Sequence, residues 1–278
     1  MNLSLWIIVN YAVFVINSNI LLIFYLISLL LLEYVEQLII YQKKLNFMKK
    51  KTFAVDIDGT ITENGGGRIH LDALEALRRL TNMGHDVIYV TGRSSVEAYL
   101  LSVFGGTRKI AVGENGGCIA LDVDDHILLG KIDECNRAFE LINNNIDGVE
   151  KKPVFPRLTE VVLERTFDMN DARKILFENN IDVELSDSQY AIHINSKGID
   201  KGTGFTELMK KFNILFDDVI AIGDSATDVP LFKVAKTSIA LGNASDAVRS
   251  EATMTVSGCS GDGVLEALDK LAPKLSEI

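Results

Sequence analysis

The sequence predicts an α/β fold: a mainly parallel sheet covered by helices and interrupted by a smaller α+β insert. Two patterns carry the prediction. Beyond Met48, short β-branched and aliphatic runs alternate with segments whose apolar residues recur at helical spacing, the order expected of strands joined by crossover helices. From about His126 to Asn195 the alternation changes character, and after Lys201 it resumes, so the insert interrupts one domain rather than following it. The 278 residues suffice for a sizeable core. A hydrophobic content of 47%, with 4 Pro beside 21 Gly, excludes low-complexity, collagen-like and disordered classes.

Taken in order, Thr52–Ile57 reads as the first strand, its apolar run opening directly after MKKK. Leu71, Leu74, Leu77 and Leu80 set a helix over Leu71–Met83, with Gly84 as its stop. Asp86–Val90 is a strand, Ser95–Phe104 a helix, Ile110–Val112 a strand and Cys118–Leu121 an extra strand. The insert contains a helix (Asp133–Asn143), a strand (Glu160–Glu164), a helix (Asn170–Asn179) and strands at Asp182–Leu185 and Ala191–Ile194. The core resumes with a helix from Lys201 to Phe212 and a strand at Val219–Ile222. A helix from Asp228, a strand at Ser238–Leu241 and a closing helix at Gly263–Leu271 complete it. The expected division is therefore a core of 48–125 and 196–278, an insert of 126–195, and a leading segment of 1–47.

That leading segment is a separate problem. No residue from Met1 to Leu32 is charged, and Ile20–Leu32 is apolar apart from Ser28, long enough with its neighbours to cross a bilayer. The lysines that follow would keep the rest of the chain cytoplasmic. A blander reading notes that residues 1–47 lack Gly, Pro, Asp, Arg, His and Thr, as translated AT-rich upstream DNA would, and that Met48 opens the first strand unaided. The expectation adopted is a mis-assigned start and a cytoplasmic protein, with a membrane contact only if the segment is real. The three cysteines, Cys118, Cys135 and Cys259, form no disulfide framework or zinc pair and suit a reducing compartment. With 38 acidic and 28 basic residues, the net charge of −10 argues against a nucleic-acid partner held by counterion release. A homodimer is left open.

Ligands of open parallel sheets bind beyond the carboxyl ends of strands. There the first strand delivers Asp56, Asp58, Gly59 and Thr60, the second Thr91, Gly92 and Arg93, and Val219–Ile222 delivers Gly223 and Asp224 with Asp228 four residues on. Carboxylates gathered at one rim repel one another unless a cation sits among them, and a hard divalent ion with oxygen ligands, Mg2+ most naturally, resolves this. The alternation around Ile57 sends Asp56 and Asp58 to different sides of the backbone, and Gly59 permits the turn that follows. Thr91 supplies a hydroxyl and the loop backbones supply N–H groups for phosphate oxygens. Lys201, just before a helix, is the candidate to offset charge during phosphoryl transfer.

These residues, in this order, resemble the haloacid dehalogenase superfamily of phosphohydrolases, a Rossmann-like fold. Its four motifs would be Asp56-x-Asp58-Gly59-Thr60, Thr91, Lys201 and Gly223-Asp224-x3-Asp228. The resemblance covers the whole chain after Met48. The insert looks like the larger α/β cap class, and Glu114-Asn115-Gly116-Gly117 is similar to that subfamily. The compact cap, with the segments GENGG and IGDSATD, looks most like archaeal phosphoglycolate phosphatases, with sugar-phosphate phosphatases as near relatives. What the resemblance implies is Asp56 as nucleophile forming an aspartyl-phosphate and Asp58 as general acid and base. It also implies Mg2+ held by Asp56, the Asp58 carbonyl and Asp224, with Asp228 as ligand or orienter. Lys201, Thr91 and Gly92 would hold a small phosphate ester, 2-phosphoglycolate first.

Other readings compete. An EF-hand loop also begins D-x-D, but its sixth position would be Ile61 and a strand precedes it. P-type ATPases carry Thr where Asp58 stands, so Asp58 points to a phosphatase or phosphomutase and argues against a binding protein without turnover. Asp224 and Asp228 could simply cap a helix. The histidines show no metal-ligand spacing, and only His193 is worth watching. Arg68, Arg93 and Arg165 read as surface or packing residues, any one of which could meet a substrate carboxylate. Gly65-Gly66-Gly67 reads as a loop beside the site and is no Walker A sequence.

Overall fold

The computed structural model describes residues 50–276 apart from 64–66 and 189, together with 31, 34 and 35. The expected leading segment, and the Gly65-Gly66 part of the glycine loop, lie outside the described residues. Among the described residues no helix is long and apolar enough to cross a membrane. Lys50–Lys274 form one unit, and the account below concerns it.

Strand β1 (Thr52–Val55) is buried at every residue, as an unbroken apolar run requires in a sheet covered on both faces. It ends two residues before the expected Ile57, because the chain turns at Asp58–Thr60, and the Asp56 N–H instead donates to the Ile222 carbonyl at 3.0 Å. A short hairpin, β2 (Thr62–Glu63) and β3 (Arg68–Ile69), leads into α1 (Leu71–Asn82), whose N-terminus is capped by the His70 ring. Then follow β4 (Asp86–Val90), α2 (Ser95–Gly105), β5 (Ala111–Gly113), β6 (Cys118–Ala120) and β7 (His126–Leu128). Ser94 and Glu97 close a capping box on α2, satisfying amides that helix geometry leaves without partners.

The expectation that the insert begins at His126 is corrected. His126–Leu128 pairs antiparallel with β6, because a tight turn, in which the Leu121 N–H donates to the Asp125 carbonyl at 2.8 Å, folds the chain straight back. The insert follows as α3 (Ile132–Asn145), β8 (Val161–Leu163), α4 (Met169–Glu178), β9 (Val183–Asp187) and β10 (Ile192–Ser196). Its antiparallel sheet runs β8-β10-β9, with a core of its own that includes Ala138, Ile142, Leu163, Leu176 and Ile194.

The remaining elements are α5 (Lys201–Phe212), β11 (Val219–Gly223), α6 (Val229–Lys233), β12 (Thr237–Ala240), α7 (Asp246–Glu251), β13 (Met254–Thr255) and α8 (Ser260–Ser276). The large sheet has the order β13-β12-β11-β1-β4-β5-β6-β7, parallel from β13 to β5. Its covering core draws Ile88 and Val90 from the sheet, and Phe205, Leu208, Leu231 and Phe232 from α5 and α6. β1 lies between β4 and β11, and the chain runs outward from β1 to β4 on one side and from β11 to β12 on the other. A crevice therefore opens at the carboxyl ends of these three strands.

Candidate active site

Backbone approach, not charge, brings the buried lysine to the crevice. A Cβ added at Gly204 on α5 would strike Gly116, and one at Gly202 would strike the Pro230 carbonyl, so small residues let α5 lie hard against both neighbours. Gly116 itself has φ +98, and Glu114 and Asn115 before it sit in the left-handed region at φ 55 and 50. The Glu114–Gly117 segment is thus a tight turn whose shape admits the helix. Asp200 caps α5, and Lys201, the first helical residue, points into the crevice with 3% of its side chain exposed.

There Lys201 Nζ donates to Asp56 Oδ1 at 2.7 Å and to Asp228 Oδ1 at 2.6 Å, joining the ends of β1 and β11. The second Asp228 oxygen accepts from the Asp224 and Ser225 amides at 3.0 and 2.9 Å and from Ser225 Oγ at 2.9 Å. Both Asp228 oxygens are therefore engaged, and the residue shapes the loop that carries Asp224. Thr60 Oγ1 lies 3.0 Å from Asp224 Oδ1 and 3.3 Å from Asp56 Oδ2, while Asn243 Nδ2 donates to Asp224 Oδ2 at 2.7 Å. Gly59 turns at φ +79, where a methyl group would fall on the Asp224 carboxylate.

One oxygen from each of Asp56, Asp224 and Asp228 lies within 4.8 Å of the others. Burial, then the neighbouring Asp228 carboxylate, pushes the Asp56 pKa well above the ordinary carboxylate range despite Lys201. Burial and Asp228 likewise push Asp224 up to about 7. Burial alone would lower the Lys201 pKa, but Asp228 and Asp56 outweigh it and hold the ammonium charged. One lysine does not neutralise three carboxylates, and this crowded oxygen donor set suits a hard divalent cation.

Asp58 faces the other side of the turn. Arg93 grips it with both edges of the fork, Nε to Oδ2 and Nη2 to Oδ1, each at 2.8 Å, and extends Nη1 to Glu97 at 2.9 Å. Thr91 is fully buried and its Oγ1 accepts from the Arg93 amide at 3.1 Å, leaving its own proton to donate. The Gly92 carbonyl accepts from Arg157 Nη1 at 2.8 Å. Asp56, Asp58, Gly92, Lys201 and Asp224 all line one cleft of about 800 Å³, whose opposite wall includes Phe155, Arg157, Tyr190 and His193 from the insert. Thr91 and Asp228 stand behind that surface.

Several members of the site lie outside the sequence reading. Asn243 carries no motif, and Thr60 belongs to the first motif without an expected role of its own. On the insert side, Glu160 is buried and accepts from His193 Nδ1 at 3.0 Å and Asn115 Nδ2 at 3.2 Å, with Arg157 Nη1 at 3.1 Å from its other oxygen. Burial would raise the Glu160 pKa, but His193 and then Arg157 and Asn115 hold it below the ordinary value. Of the three arginines considered from sequence, Arg93 serves Asp58, while Arg68 and Arg165 pair with Glu63 and Asp187. The cleft's other arginine, Arg157, follows from the fold alone.

Known proteins give this arrangement its class. The family model for haloacid dehalogenase-like hydrolases matches residues 53–145 and 134–268, and the chain belongs to that family. A phosphoglycolate phosphatase of Nitrosopumilus maritimus is 80% identical over 231 residues, 83% of this chain and 100% of the relative. One from Methanosarcina mazei is 35% identical over 225 residues, 81% of this chain and 97% of its own. A solved structure from Thermoplasma acidophilum shares the fold with a TM-score of 0.71 at 21% identity, covering 80% of this chain and 98% of that one.

Proposed function

We propose that this chain is a Mg2+-dependent phosphatase that hydrolyses 2-phosphoglycolate to glycolate and phosphate through an aspartyl-phosphate on Asp56. The observation that carries the reading is the meeting of Asp56, Asp58, Lys201 and Asp224, from distant stretches of chain, in one cleft of about 800 Å³. The relatives named phosphoglycolate phosphatase support the choice of substrate. We take residues 50–130 and 197–276 as the catalytic core and 131–196 as the cap that supplies the far wall. Three free thiols support a cytoplasmic setting.

In this mechanism an Asp56 oxygen attacks phosphorus in line with the ester oxygen, which leaves with a proton from Asp58. Water then attacks the phosphorus of the acyl phosphate, gives its proton to Asp58 and restores Asp56. Both Asp58 oxygens accept from Arg93, so one of these hydrogen bonds opens when the carboxyl takes a proton. Lys201 and the Thr91 hydroxyl orient the phosphoryl oxygens beside the Gly92 backbone, where a side chain would press on Asn115. Asp56, the Asp58 carbonyl and Asp224, with Asp228 fixing the loop, would hold Mg2+, which would supply neutralisation of the crowded negative charge.

The test is phosphate release from 2-phosphoglycolate with and without Mg2+, comparing the wild type with Asp56→Asn. A loss of at least about 10^3-fold is expected on substitution, with comparable dependence on the cation. Release undiminished in Asp56→Asn would refute the nucleophile.

A further inference from the structure

The negative ester end of the substrate has its partners in the core. 2-Phosphoglycolate carries a second anion, a carboxylate whose carbon is only three bonds from phosphorus, so any group that recognises it must stand close to the phosphoryl site. The cationic candidates lining the cleft are Arg93, Arg157, Lys201 and, if protonated, His193. Three of them are committed. Arg93 spends its Nε/Nη2 edge on Asp58 and its Nη1 on Glu97. Lys201 is buried between Asp56 and Asp228. His193 places Nδ1 on Glu160 and Nε2 on Ser188 Oγ at 3.0 Å each.

Arg157 differs. Its side chain is 8% exposed, its Nη1 is anchored on the Gly92 carbonyl, and its buried Nε has no hydrogen-bond partner among the described residues. The edge formed by Nε and Nη2, the same edge with which Arg93 clasps a carboxylate, is left unmatched. A buried donor without an acceptor is unfavourable, and a planar carboxylate is the acceptor that matches a guanidinium edge with two parallel hydrogen bonds. Gly92 directly follows Thr91, so the anchor places this arginine one residue from a proposed phosphoryl contact. Glu160, with no side-chain exposure, braces it from behind.

We infer that Arg157, the insert arginine that lines the cleft, is the specificity residue of this site, its guanidinium turning its unmatched donors to the carboxylate of the substrate when that anion enters. The inference rests on the phosphoglycolate reading above and adds to it the residue that reads the acid. Sugar phosphates, which have hydroxyls instead of a carboxylate at that distance, would leave the edge poorly matched.

The experiment compares kcat/KM for 2-phosphoglycolate and for its carboxamide, a neutral analogue of nearly the same shape. The wild type is expected to prefer the acid about 100-fold, the range for a desolvated charge pair with paired hydrogen bonds. In Arg157→Met the preference should collapse to within about 3-fold, and Arg157→Lys, which keeps the charge without the fork, should fall between. Equal losses on both esters in Arg157→Met, with the preference intact, would overturn the inference and leave Arg157 as a brace on Gly92. A wild type that hydrolyses acid and amide alike would also overturn it, whatever the folding of the variants, while leaving the phosphatase reading standing. A wild type that cleaves para-nitrophenyl phosphate but neither glycolate ester would refute the substrate reading, and this assignment with it.

Discussion

Burial and like charge both push the pKa of Asp56 and Asp224 upward, and the consequence has a sign that can be measured. A carboxylate whose folded pKa lies above its unfolded one stabilises the fold below the unfolded value of 3.8 and loses that contribution as pH rises through the folded value, about 7 for Asp224. A bound divalent cation needs these groups ionised, so its stabilising effect should grow over the same window. We expect saturating Mg2+ to raise the melting temperature by about 5 °C or more near pH 8 and much less near pH 5. A shift of equal size at both ends, measured by thermal unfolding, would detach the cation from these carboxylates. Arg157 belongs to the same scale: its neighbours in sequence give it no motif, and only its unmatched edge distinguishes it from Arg93.

At the level of elements, β1 and β4 pair from Thr52↔Asp86 onward, and a histidine ties them together just ahead of that register. His85 Nδ1 accepts the Lys51 N–H at 3.1 Å, and its ring packs edge-on against Phe53 at 5.9 Å. Protonation would place a hydrogen on that acceptor. Burial, then the charge of Lys51, lowers the pKa of His85 from the ordinary 6.5. For a base whose folded pKa is depressed, stability is whole above the unfolded value and is lost as pH falls toward the folded one. Urea unfolding should therefore show a decline below about pH 6.5 that His85→Asn, which retains an acceptor, removes. The same acid limb in both proteins would assign it to other groups. The elements themselves were largely legible: β4 has the bounds its β-branched run predicts, and α1 and α2 differ from expectation by one residue each. The hairpin β2–β3, β13 and α7 escaped, because segments of two to six residues carry too little periodicity to be read.

For the whole molecule, cap and core are joined through Arg157 on the Gly92 carbonyl, Asn115 on Glu160 and, with three hydrogen bonds, Glu114. Glu114, fully buried in the core turn, accepts from the Leu158 amide at 2.9 Å, the Thr159 amide at 2.7 Å and Thr159 Oγ1 at 2.8 Å, all through one oxygen. Removing that acceptor leaves two buried donors on Thr159 and the half-buried Leu158 amide unmatched, and a buried donor so left costs about 1–3 kcal/mol. Glu114→Ala should lose about 3 kcal/mol of stability and expose the segment before Thr159 to limited proteolysis, whereas Glu114→Gln, which keeps an acceptor oxygen, should lose less. Unchanged cleavage in Glu114→Ala would show that the cap is held by other means. Four motif positions were legible along the chain, since chemistry fixes their residue types and strand ends fix where they emerge.

The sequence by itself determined the α/β class, the interruption by an insert, and the placing of Asp56, Asp58 and Asp224 just beyond strands and of Lys201 at the start of a helix. Strand periodicity and residue chemistry are local properties, written in consecutive positions. Tertiary structure alone decided that Asp228 is taken up by Lys201 and loop amides, that Arg93 grips Asp58, that His126–Leu128 extends the large sheet, and that Arg157 and Glu160 reach the cleft. The reason is physical: a side chain's hydrogen-bond partner depends on which distant backbone lies a few ångströms away, and packing of α5 and the cap, not sequence spacing, sets that distance.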